Sequence, residues 1–497
     1  MQCPATLVRA HRAAYLIDGE AYFRALAEAL ARGRQSIYIA GWDIDARTRL
    51  PDPFHRGKRV SFRRFIDRLA RRRPNLHVYL LGWDFAALFT LERLPFPALH
   101  LGWRTHERVH FFADGVHPQG ASHHQKLVVV DDAVAFSGGF DVAVKRWDTP
   151  LHTPDDPRRV DPIGMCYPPF HDVQIALSGP AATVLAEVFR DRWRRATGEV
   201  LLPCERTPVE PWPPSARPDA HDAALSIVCT QPEWEGYSAI CDVQRSYEEA
   251  ILSARKWIYI ENQYLSCEAI AQLLVRRLEE PDGPEVVVVS PRACSGWLEE
   301  RTMGVLRGRL LLQVAAAKYA KERFRAVYPV VGDASVYIHS KVMVIDDAIA
   351  RVGSANLTQR SMRIDSECDV SLYAGPDGSH AHAVATLRNR LLAEHLGTTE
   401  QAVERQLGAH GSIIRLVDQH GAGPRGVRLL ADPIPSDEQI AWLRTIADPE
   451  RPLDASRLVD FLGGYMKRKE MAGRLAMMCA AAAMTVTLVI VIAVVGQ

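Results

Sequence analysis

The sequence predicts an α/β protein built from two similar halves that share one site. An eight-residue pattern, His-x-Lys-x4-Asp, occurs twice, beginning at His124 and at His339. Each copy is followed at the same offset by a glycine turn, at 138–141 and 353–356. Helix-like segments alternate with short apolar segments, which is typical of an α/β fold with a mostly parallel or mixed sheet. Because the copies lie 215 residues apart (339 − 124), we expect two large α/β halves rather than three average domains.

The repeat extends to the segments that precede each motif. A helix-like run over 20–32 leads into the apolar segment 34–39, and a run over 239–254 leads into the matching segment 255–260. Further elements follow from local periodicity: an amphipathic helix that begins at Ser61–Phe62, a buried strand over 77–81, an ordered proline-rich loop over 149–169, an apolar strand over 412–417 and a helix near 438–446.

These signals divide the chain into five segments. Residues 203–218 hold six prolines, which predicts a stiff linker between the halves. In order, we expect a first half over 1–200, a Pro-rich linker over 201–223, a second half over 224–397, a C-terminal extension over 398–465 and a transmembrane helix over 475–496.

The C-terminal run 475–496 contains no charged residue. As a helix, about 21 residues rise about 31 Å, which matches the hydrocarbon thickness of a bilayer. Four basic residues, Lys467, Arg468, Lys469 and Arg474, precede the run, and such flanks favour the cytoplasmic side. The cysteines form no paired pattern and the N-terminus has no signal peptide. The sequence therefore predicts a single-pass C-terminal anchor with the catalytic region in the cytoplasm.

The charge balance argues against a nucleic-acid partner. Lys and Arg number 60 against 59 Asp and Glu, so the chain lacks the basic surplus of a duplex-binding protein. No group of cysteines and histidines has the spacing of a zinc site, and we expect neither a metal nor another cofactor. The oligomeric state stays open.

The histidine and lysine of each motif form the chemically active pair. Side chains alternate along a strand, so His124 shares a face with Lys126, and His339 shares a face with Lys341. A histidine can attack phosphorus or exchange a proton near neutral pH, and a lysine donates to phosphate. Two such pairs supply a nucleophile, a general acid and two cations for a phosphodiester, with no metal needed.

The other motif residues have supporting roles in this interpretation. Asp131 and Asp346 complete the catalytic motif, but their opposite parity on the strand predicts structural residues at the strand end. The glycine turns are expected to present backbone N–H groups to phosphate, with Ser354 and Asn356 as further donors.

Each catalytic imidazole needs an acceptor for its second ring nitrogen. Glu367 is the nearest downstream acid for His339, and Asp172 lies at the comparable point of the first half. We therefore expect each half to supply the acid that orients its own histidine.

These motifs resemble the two-motif phospholipase D superfamily, and specifically its eukaryotic-type branch, over about 14–397. The segments that carry the resemblance are 37–43, 123–128, 138–141, 146–148, 259–264, 338–341, 353–361 and 365–367. The resemblance implies a pseudo-twofold pair of α/β sandwich halves with one site at their interface. It also implies that a histidine attacks a lipid phosphate, and that water or an alcohol releases the phosphohistidine intermediate.

Residue by residue, the resemblance implies the following roles: His124 as nucleophile, His339 as the acid that protonates the leaving head group, Lys126, Lys341 and Asn356 as phosphate-binding residues, and Asp172 and Glu367 as the residues that orient the histidines. The first turn departs from the second, because Gly139 and Asp141 stand where the second has a serine and an asparagine. A carboxylate cannot donate to phosphate, so the first turn is expected to contribute less.

The implied activity is hydrolysis of glycerophospholipids such as phosphatidylcholine to phosphatidic acid and a free head group, with transfer to alcohols as a second outcome. The implied partners are a membrane phospholipid and the bilayer. Three alternatives stay open. A cardiolipin synthase-type phosphatidyltransferase usually has its membrane spans before the motifs. Balanced charge and a bilayer anchor count against a nuclease, and intact motifs count against a silent membrane scaffold.

Overall fold

The computed structural model describes residues 7–55, 57–84, 99–205, 209–294, 299–421, 423–431, 444 and 447–452. The chain divides into two units, 1–451 and 452–497, and all described residues except Pro452 belong to the first. Within the described part, no helix is both long and apolar enough to cross a bilayer. The predicted transmembrane helix over 475–496 lies outside the described residues.

The first half contributes a mixed sheet whose strand order places the first motif at its centre. Hydrogen-bonded neighbours run in the order β6-β5-β2-β7-β8-β10-β1, with parallel pairing among β6, β5 and β2 and antiparallel pairing elsewhere. The strands of this half are β1 (Leu7–Ile17), β2 (Ser36–Gly41), β3 (Arg49–Pro51), β4 (Arg59–Ser61), β5 (His77–Trp83), β6 (Val109–Asp114), β7 (Leu127–Val130), β8 (Val134–Gly138), β9 (Phe170–His171) and β10 (Val173–Ser178).

The second half repeats this order strand for strand. Its sequence of neighbours is β15-β14-β13-β18-β19-β20-β11, again with parallel pairing only among the first three. The strands are β11 (Ala220–Gln231), β12 (Ile240–Cys241), β13 (Trp257–Glu261), β14 (Glu285–Val289), β15 (Phe324–Val331), β16 (Ala334–Ser335), β17 (Tyr337–Ile338), β18 (Val342–Ile345), β19 (Ile349–Gly353), β20 (Glu367–Tyr373) and β21 (Arg425–Leu429).

In the part of the chain that the structure describes, the two halves join edge to edge into one 17-stranded sheet. Strand β1 pairs with β11 in antiparallel fashion, and the two have the same position in their respective halves. The motif strands β7 and β18 consist of four apolar residues each and are wholly buried, as expected of central strands covered on both faces.

Helices cover both faces of this sheet. In the first half, α1 and α2 cover one face and α3 the other, and α3 packs into an apolar core that residues of both halves share. The helices are α1 (Asp18–Leu30), α2 (Phe62–Arg72), α3 (Pro180–Thr197), α4 (Asp242–Ser253), α5 (Glu268–Glu279), α6 (Val305–Ala315), α7 (Ala320–Arg323), α8 (Gln359–Arg363), α9 (Ala381–Leu396), α10 (Glu400–His410) and α11 (Ile413–His420).

The predicted strand over 412–417 is wrong, because this segment forms helix α11. The hydroxyl of Ser412 accepts the backbone N–H of Arg415 at 3.0 Å and so caps the helix. Ile413, Leu416 and Val417 are buried at helical spacing, a pattern that a short apolar run does not distinguish from a strand. The predicted helix near 438–446 lies mostly outside the described residues. Strand β11 begins at Ala220, within the predicted linker.

Candidate active site

The two motif segments lie against each other's halves at the junction. His124 and Lys126 precede β7, and the backbone N–H of His124 donates to the carbonyl of Ser366 at 2.9 Å. In the same way, the N–H of His339 donates to the carbonyl of His171 at 2.9 Å, where β17 pairs in parallel with β9. Each motif histidine is therefore bonded to a backbone segment of the opposite half.

This backbone pairing determines which acid reaches which histidine. Nδ1 of His124 lies 3.0 and 3.1 Å from the two carboxylate oxygens of Glu367. Nδ1 of His339 lies 2.7 Å from Oδ2 of Asp172. The prediction that each half orients its own histidine is wrong. In each case the acid is the residue after the carbonyl of the cross-half backbone bond, Glu367 after Ser366 and Asp172 after His171. Each acid therefore contacts the histidine of the other half, so the pairs are crossed.

Burial changes the proton affinity of both motif histidines. It lowers the pKa of His124 and of His339 well below the ordinary value, and the charges on Lys126 and Lys341 lower both pKa values further. That each histidine responds to both lysines indicates that the two motifs converge. Within the described residues, Nε2 of neither imidazole has a hydrogen-bond partner, so this nitrogen of each ring is available to a substrate.

The two acids are held differently. Burial raises the pKa of Glu367 to about 8, although Lys126 and hydrogen bonds from Ser354 and Ser361 act in the opposite direction. The hydroxyls of Ser354 and Ser361 donate to its two oxygens at 2.5 and 2.7 Å. Burial raises the pKa of Asp172 to about 6, opposed by Lys341 and by the backbone N–H of Val173.

The two lysines also differ in their partners. Nζ of Lys126 lies 3.5 Å from the carboxylate of Asp141 and donates to the carbonyl of His124 at 3.0 Å. Nζ of Lys341 donates to the carbonyl of His339 and to the amide oxygen of Gln263, the latter at 3.3 Å. Burial lowers the pKa of Lys341 to about 7.

The sequence analysis expected Ser354 to be free to bind phosphate, but in the structure its hydroxyl and its backbone N–H already have partners. Its hydroxyl donates to Glu367, and its backbone N–H donates to Asp369 at 3.0 Å. Among the described residues, the side-chain oxygen of Asn356 has no hydrogen-bond partner, although Asn356 is only 7% exposed. Asn356 therefore has free hydrogen-bonding capacity in this region.

The expectation that the turns present backbone N–H groups to phosphate is not met at Gly139 and Gly353. The N–H of Gly139 donates to the carbonyl of Val173 at 3.0 Å, and that of Gly353 to the carbonyl of Lys341 at 3.0 Å. The glycine at 139 serves close packing instead, because an added Cβ would lie 1.9 Å from Oδ1 of Asp172.

The motif aspartates lie at the opposite ends of their strands from the histidines. The carboxylate of Asp131 accepts the backbone N–H groups of 34–36 at 2.7–3.0 Å. That of Asp346 accepts the N–H groups of 255–257 at 2.7–2.9 Å. Both aspartates have positive φ, 52° and 51°. Their inclusion among the catalytic residues therefore needs correction, because they fix the start of the neighbouring strands β2 and β13.

Arg146 and Gln263 are site residues that the sequence analysis did not assign. The charge on Arg146 lowers the pKa of His339 and of Lys341, and its guanidinium carbon lies 5.0 Å from the ring centre of Phe170. Both residues lie within segments that carry the family resemblance, 146–148 and 259–264. Their position in those segments was the signal that the sequence offered. The direction of their side chains could not be read from it.

A buried network of histidines and carboxylates lies behind His339 and Asp172. The carboxylate of Glu261 accepts from Ser340 at 2.6 Å, and its oxygens lie 3.0 Å from Nε2 of His171 and 2.7 Å from Nε2 of His395. Ser340 and His171 are the chain neighbours of His339 and Asp172. Glu261 therefore braces both members of that pair from behind.

Two groups within this network could hold a metal ion: Asp18, His152, His171 and Glu394, and His171, Glu261 and His395. In the first group, Nδ1 of His152 lies 2.9 Å from Asp148, and Nε2 of His171 lies 3.0 Å from Glu261. A carboxylate on the second nitrogen is typical of metal-binding histidines. The members are far apart in sequence, so a search for ligand spacing does not find them.

Comparisons with known proteins agree with this geometry. The model of the family described as "Cardiolipin synthase, PLD-like domain" matches residues 247–386. Phospholipase D1 of Schizosaccharomyces pombe is 23% identical over 79% of this chain and 36% of its own length. Phospholipase D A of Dictyostelium discoideum is 23% identical over 78% and 35%. The chain thus spans about a third of the length of these two relatives.

A solved structure shares the fold. The phosphatidylserine synthase of Haemophilus influenzae superposes with a TM-score of 0.52 at 14% identity, over 83% of this chain and 96% of that one. The family match covers the second motif, and the curated relatives cover most of the chain. Together with the duplicated motif and the junction site, these similarities support assignment of the chain to the phospholipase D superfamily.

Proposed function

We propose that the chain is a phospholipase D that hydrolyses glycerophospholipids to phosphatidic acid and free head group. The observation that carries the proposal is the pair of crossed dyads, His124–Glu367 and His339–Asp172, with a buried lysine beside each histidine. Two imidazoles with free Nε2 atoms and two cations fit a phosphodiester that needs a nucleophile on one side and an acid on the other.

The reaction proceeds in two steps. Nε2 of His124 attacks phosphorus while protonated His339 gives its Nε2 proton to the leaving head-group oxygen, so the P–O bond breaks as the P–N bond forms. In the second step, neutral His339 takes a proton from water, whose oxygen displaces His124 and gives phosphatidic acid. A low pKa keeps His124 unprotonated for attack. Glu367 and Asp172 stabilise the imidazolium that forms on each ring.

Lys126 and Lys341 neutralise the phosphate oxygens in this scheme. Both lysines are at least 98% buried, so their ammonium groups have little contact with water. A bound phosphate would supply the interactions that water does not. Because the anionic phosphate stabilises positive charge nearby, substrate binding raises the proton affinity of His339 and Lys341. The substrate itself thus helps to charge the acid that the first step requires.

A phosphatidyltransferase is the second candidate. An alcohol can replace water in the second step without any change in the residues, and the matching family model is described as "Cardiolipin synthase, PLD-like domain". Mass spectrometry of the products from mixed phospholipids, with and without a primary alcohol or a second lipid, distinguishes the two. Phosphatidic acid in water and phosphatidyl-alcohol with added alcohol support phospholipase D. Product formed only with a lipid acceptor supports the transferase, and the absence of both products contradicts either function.

We also propose that residues 475–496 anchor the catalytic body to a membrane, with residues 1–474 on the cytoplasmic side. The absence of charge in this run and the basic residues before it support the proposal. Deletion of 475–497 should give an enzyme that cleaves micellar substrate normally and loses much of its rate on bilayers. Digestion of the catalytic body by external protease in sealed vesicles of cytoplasm-inside orientation would contradict the topology.

A further inference from the structure

A short hairpin in the loop between β8 and β9 displays apolar side chains to solvent. An antiparallel bridge between Val160 and Cys166 closes it, and we call residues 160–166 the apolar hairpin. Ile163 is 79% exposed, Met165 62% and Val160 41%. Single exposed apolar residues are common on protein surfaces, but several on one protrusion indicate a contact surface.

Hydrogen bonds hold the tip of the apolar hairpin in one conformation. The carboxylate of Asp161 accepts the backbone N–H of Ile163 at 3.0 Å and that of Met165 at 2.9 Å. The N–H of Asp161 in turn donates to the carbonyl of Met165 at 2.9 Å. Nζ of Lys145 lies 3.4 Å from the other carboxylate oxygen of Asp161. The tip is therefore ordered before it meets a partner, which lowers the entropic cost of binding.

The base of the apolar hairpin is joined to the catalytic junction through buried groups. Arg159 is only 1% exposed, and its Nη1 donates to one carboxylate oxygen of Asp148 at 3.0 Å. The other oxygen of Asp148 accepts the N–H of Phe170 at 2.9 Å. The ring centre of Phe170 lies 5.5 Å from that of His339, and Asp172, the acid of His339, follows two residues later. The apolar hairpin thus has a fixed connection to this histidine.

Ion pairs around the hairpin base place their cations outward. The hydrogen bond to Asp45 raises the pKa of Arg47 and the charge on Asp161 raises it further, so Arg47 lies near the hairpin. Three pairs in this region share a buried acid and an exposed cation. They are Asp45–Arg47, Asp161–Lys145 and Asp156–Arg158, with acids 1%, 7% and 4% exposed and cations 41%, 52% and 52% exposed. An approaching surface therefore meets cations first, which suits the phosphates of lipid head groups.

The size of the apolar hairpin favours a bilayer over a protein partner. A stable protein interface buries roughly 800 Å² on each partner, far more than three side chains on a narrow tip can supply. Contact with a bilayer needs apolar side chains that reach the acyl boundary and basic groups at the level of the head groups. The apolar hairpin and the cations at its base provide both.

We propose that the apolar hairpin inserts into the surface of a phospholipid bilayer, with Ile163 and Met165 at the acyl boundary and the exposed cations among the phosphates. This contact is separate from the run 475–496 and goes beyond the proposed reaction. It holds the catalytic junction against the surface in which a lipid phosphodiester lies. Because insertion can be measured without turnover, failure of the proposed reaction and failure of this proposal are distinguishable.

Photo-crosslinking of the full chain in vesicles tests the proposal. The photoreactive residue p-benzoylphenylalanine replaces Ile163, and the vesicles contain phosphatidylcholine and phosphatidylglycerol. Mass spectrometry of the digested chain identifies peptides that carry a lipid. The same probe in place of Leu202 is the matched control, because Leu202 is 78% exposed and lies outside the hairpin. Lipid adducts should form at position 163 and stay at background at position 202.

A second substitution in the chain that carries the probe at 163 tests insertion of the tip. Met165→Glu should lower the yield of lipid adduct about tenfold or more, because an apolar contact is lost and a carboxylate would lose water. Leu202→Glu should leave the yield unchanged, and thermal unfolding checks that both variants fold. Equal lipid adducts at 163 and 202, a crosslink to a second copy of the chain in place of lipid, no adduct at 163, or a full yield in folded Met165→Glu would overturn the proposal.

The cations are tested in the same way. Lys145→Gln combined with Arg158→Gln should lower the yield by up to about fivefold for each charge removed, because a basic residue near an anionic surface contributes about that factor to binding. Arg9→Gln combined with Arg245→Gln removes two equally exposed arginines elsewhere and should leave the yield unchanged. An equal loss in the two double variants would overturn the assigned role of the cations.

Discussion

The first and second motif segments have the same backbone arrangement but different chemical surroundings. His124 is held by Glu367, whose oxygens accept two serine hydroxyls, and Lys126 lies 3.5 Å from a carboxylate. His339 is held by Asp172, and Lys341 bonds to an amide oxygen instead. The duplicated sequence has thus diverged around the two histidines, which have different roles in the proposed two-step reaction. The difference teaches that the repeat predicts the frame of the site, and that residues outside the two motifs determine the role of each half.

The largest effect should come from removing either histidine. On a natural phospholipid, His124→Ala and His339→Ala should each lose activity by on the order of 10⁴-fold or more, because nucleophile and acid act as a unit. A phosphatidyl ester of p-nitrophenol needs no protonation of its leaving group. With this substrate, His339→Ala should release about one equivalent of nitrophenol per site, and His124→Ala should release none. The opposite result would exchange the roles of the two histidines.

The crossed pairing can be tested in the His339→Ala background with the same activated ester. Adding Asp172→Asn should change the rate of nitrophenol release little, because the histidine that Asp172 holds is already absent. Adding Glu367→Gln should reduce it by about 10²-fold or more, because His124 loses its acceptor. Both rates come from stopped-flow absorbance. If Asp172→Asn caused the larger loss, each acid would serve the histidine of its own half.

The pH dependence should distinguish the two lysines. Burial lowers the pKa of Lys341 to about 7, so this cation is charged below pH 7 and neutral above it. The pKa of His339, which must carry the proton, is lowered as well, so loss of the Lys341 charge should add a further fall of about tenfold per pH unit to kcat/KM above pH 7. Lys341→Arg should move this alkaline limb to higher pH at a reduced maximum, since an arginine stays charged. Lys126→Arg is the matched control and should leave the limb near 7. If the alkaline limb of the kcat/KM profile stayed at the same pH in Lys341→Arg, the titration of Lys341 would not be its cause.

The smallest effect should come from the hydroxyls that hold Glu367. Ser354→Ala should lower kcat about tenfold through the loss of one hydrogen bond to the carboxylate, with KM unchanged. Ser361→Ala is the matched control, because it removes the equivalent bond to the other oxygen and should have a similar effect. Steady-state kinetics on micellar substrate gives both constants. If Ser354→Ala, but not Ser361→Ala, raised KM and left kcat unchanged, the result would indicate that Ser354 binds phosphate.

Much of the frame was predictable because it depends on local sequence. Branched apolar runs predicted β7 and β18, and strand parity separated His124 and Lys126 from Asp131. The crossed acids were not predictable, since the backbone bonds at His171 and Ser366 join segments that are distant in the chain. Ser354 was assigned to phosphate binding because a hydroxyl can donate to a phosphate or to a carboxylate. Only the position of Glu367 in the fold decides between these two acceptors. Helix α11 was missed because its cap and spacing compete with an apolar run that also suits a strand.

The central claim is that His124, oriented across the junction by Glu367, is the nucleophile. Mass spectrometry of the His339→Ala variant, quenched after reaction with phosphatidyl-p-nitrophenol, tests it most directly. Without the base for the second step, the intermediate should accumulate, and the peptide that contains His124 should carry a phosphatidyl group at nearly one equivalent per chain. A group on any other residue, or turnover with no modified peptide under acid-free quenching, would contradict the account.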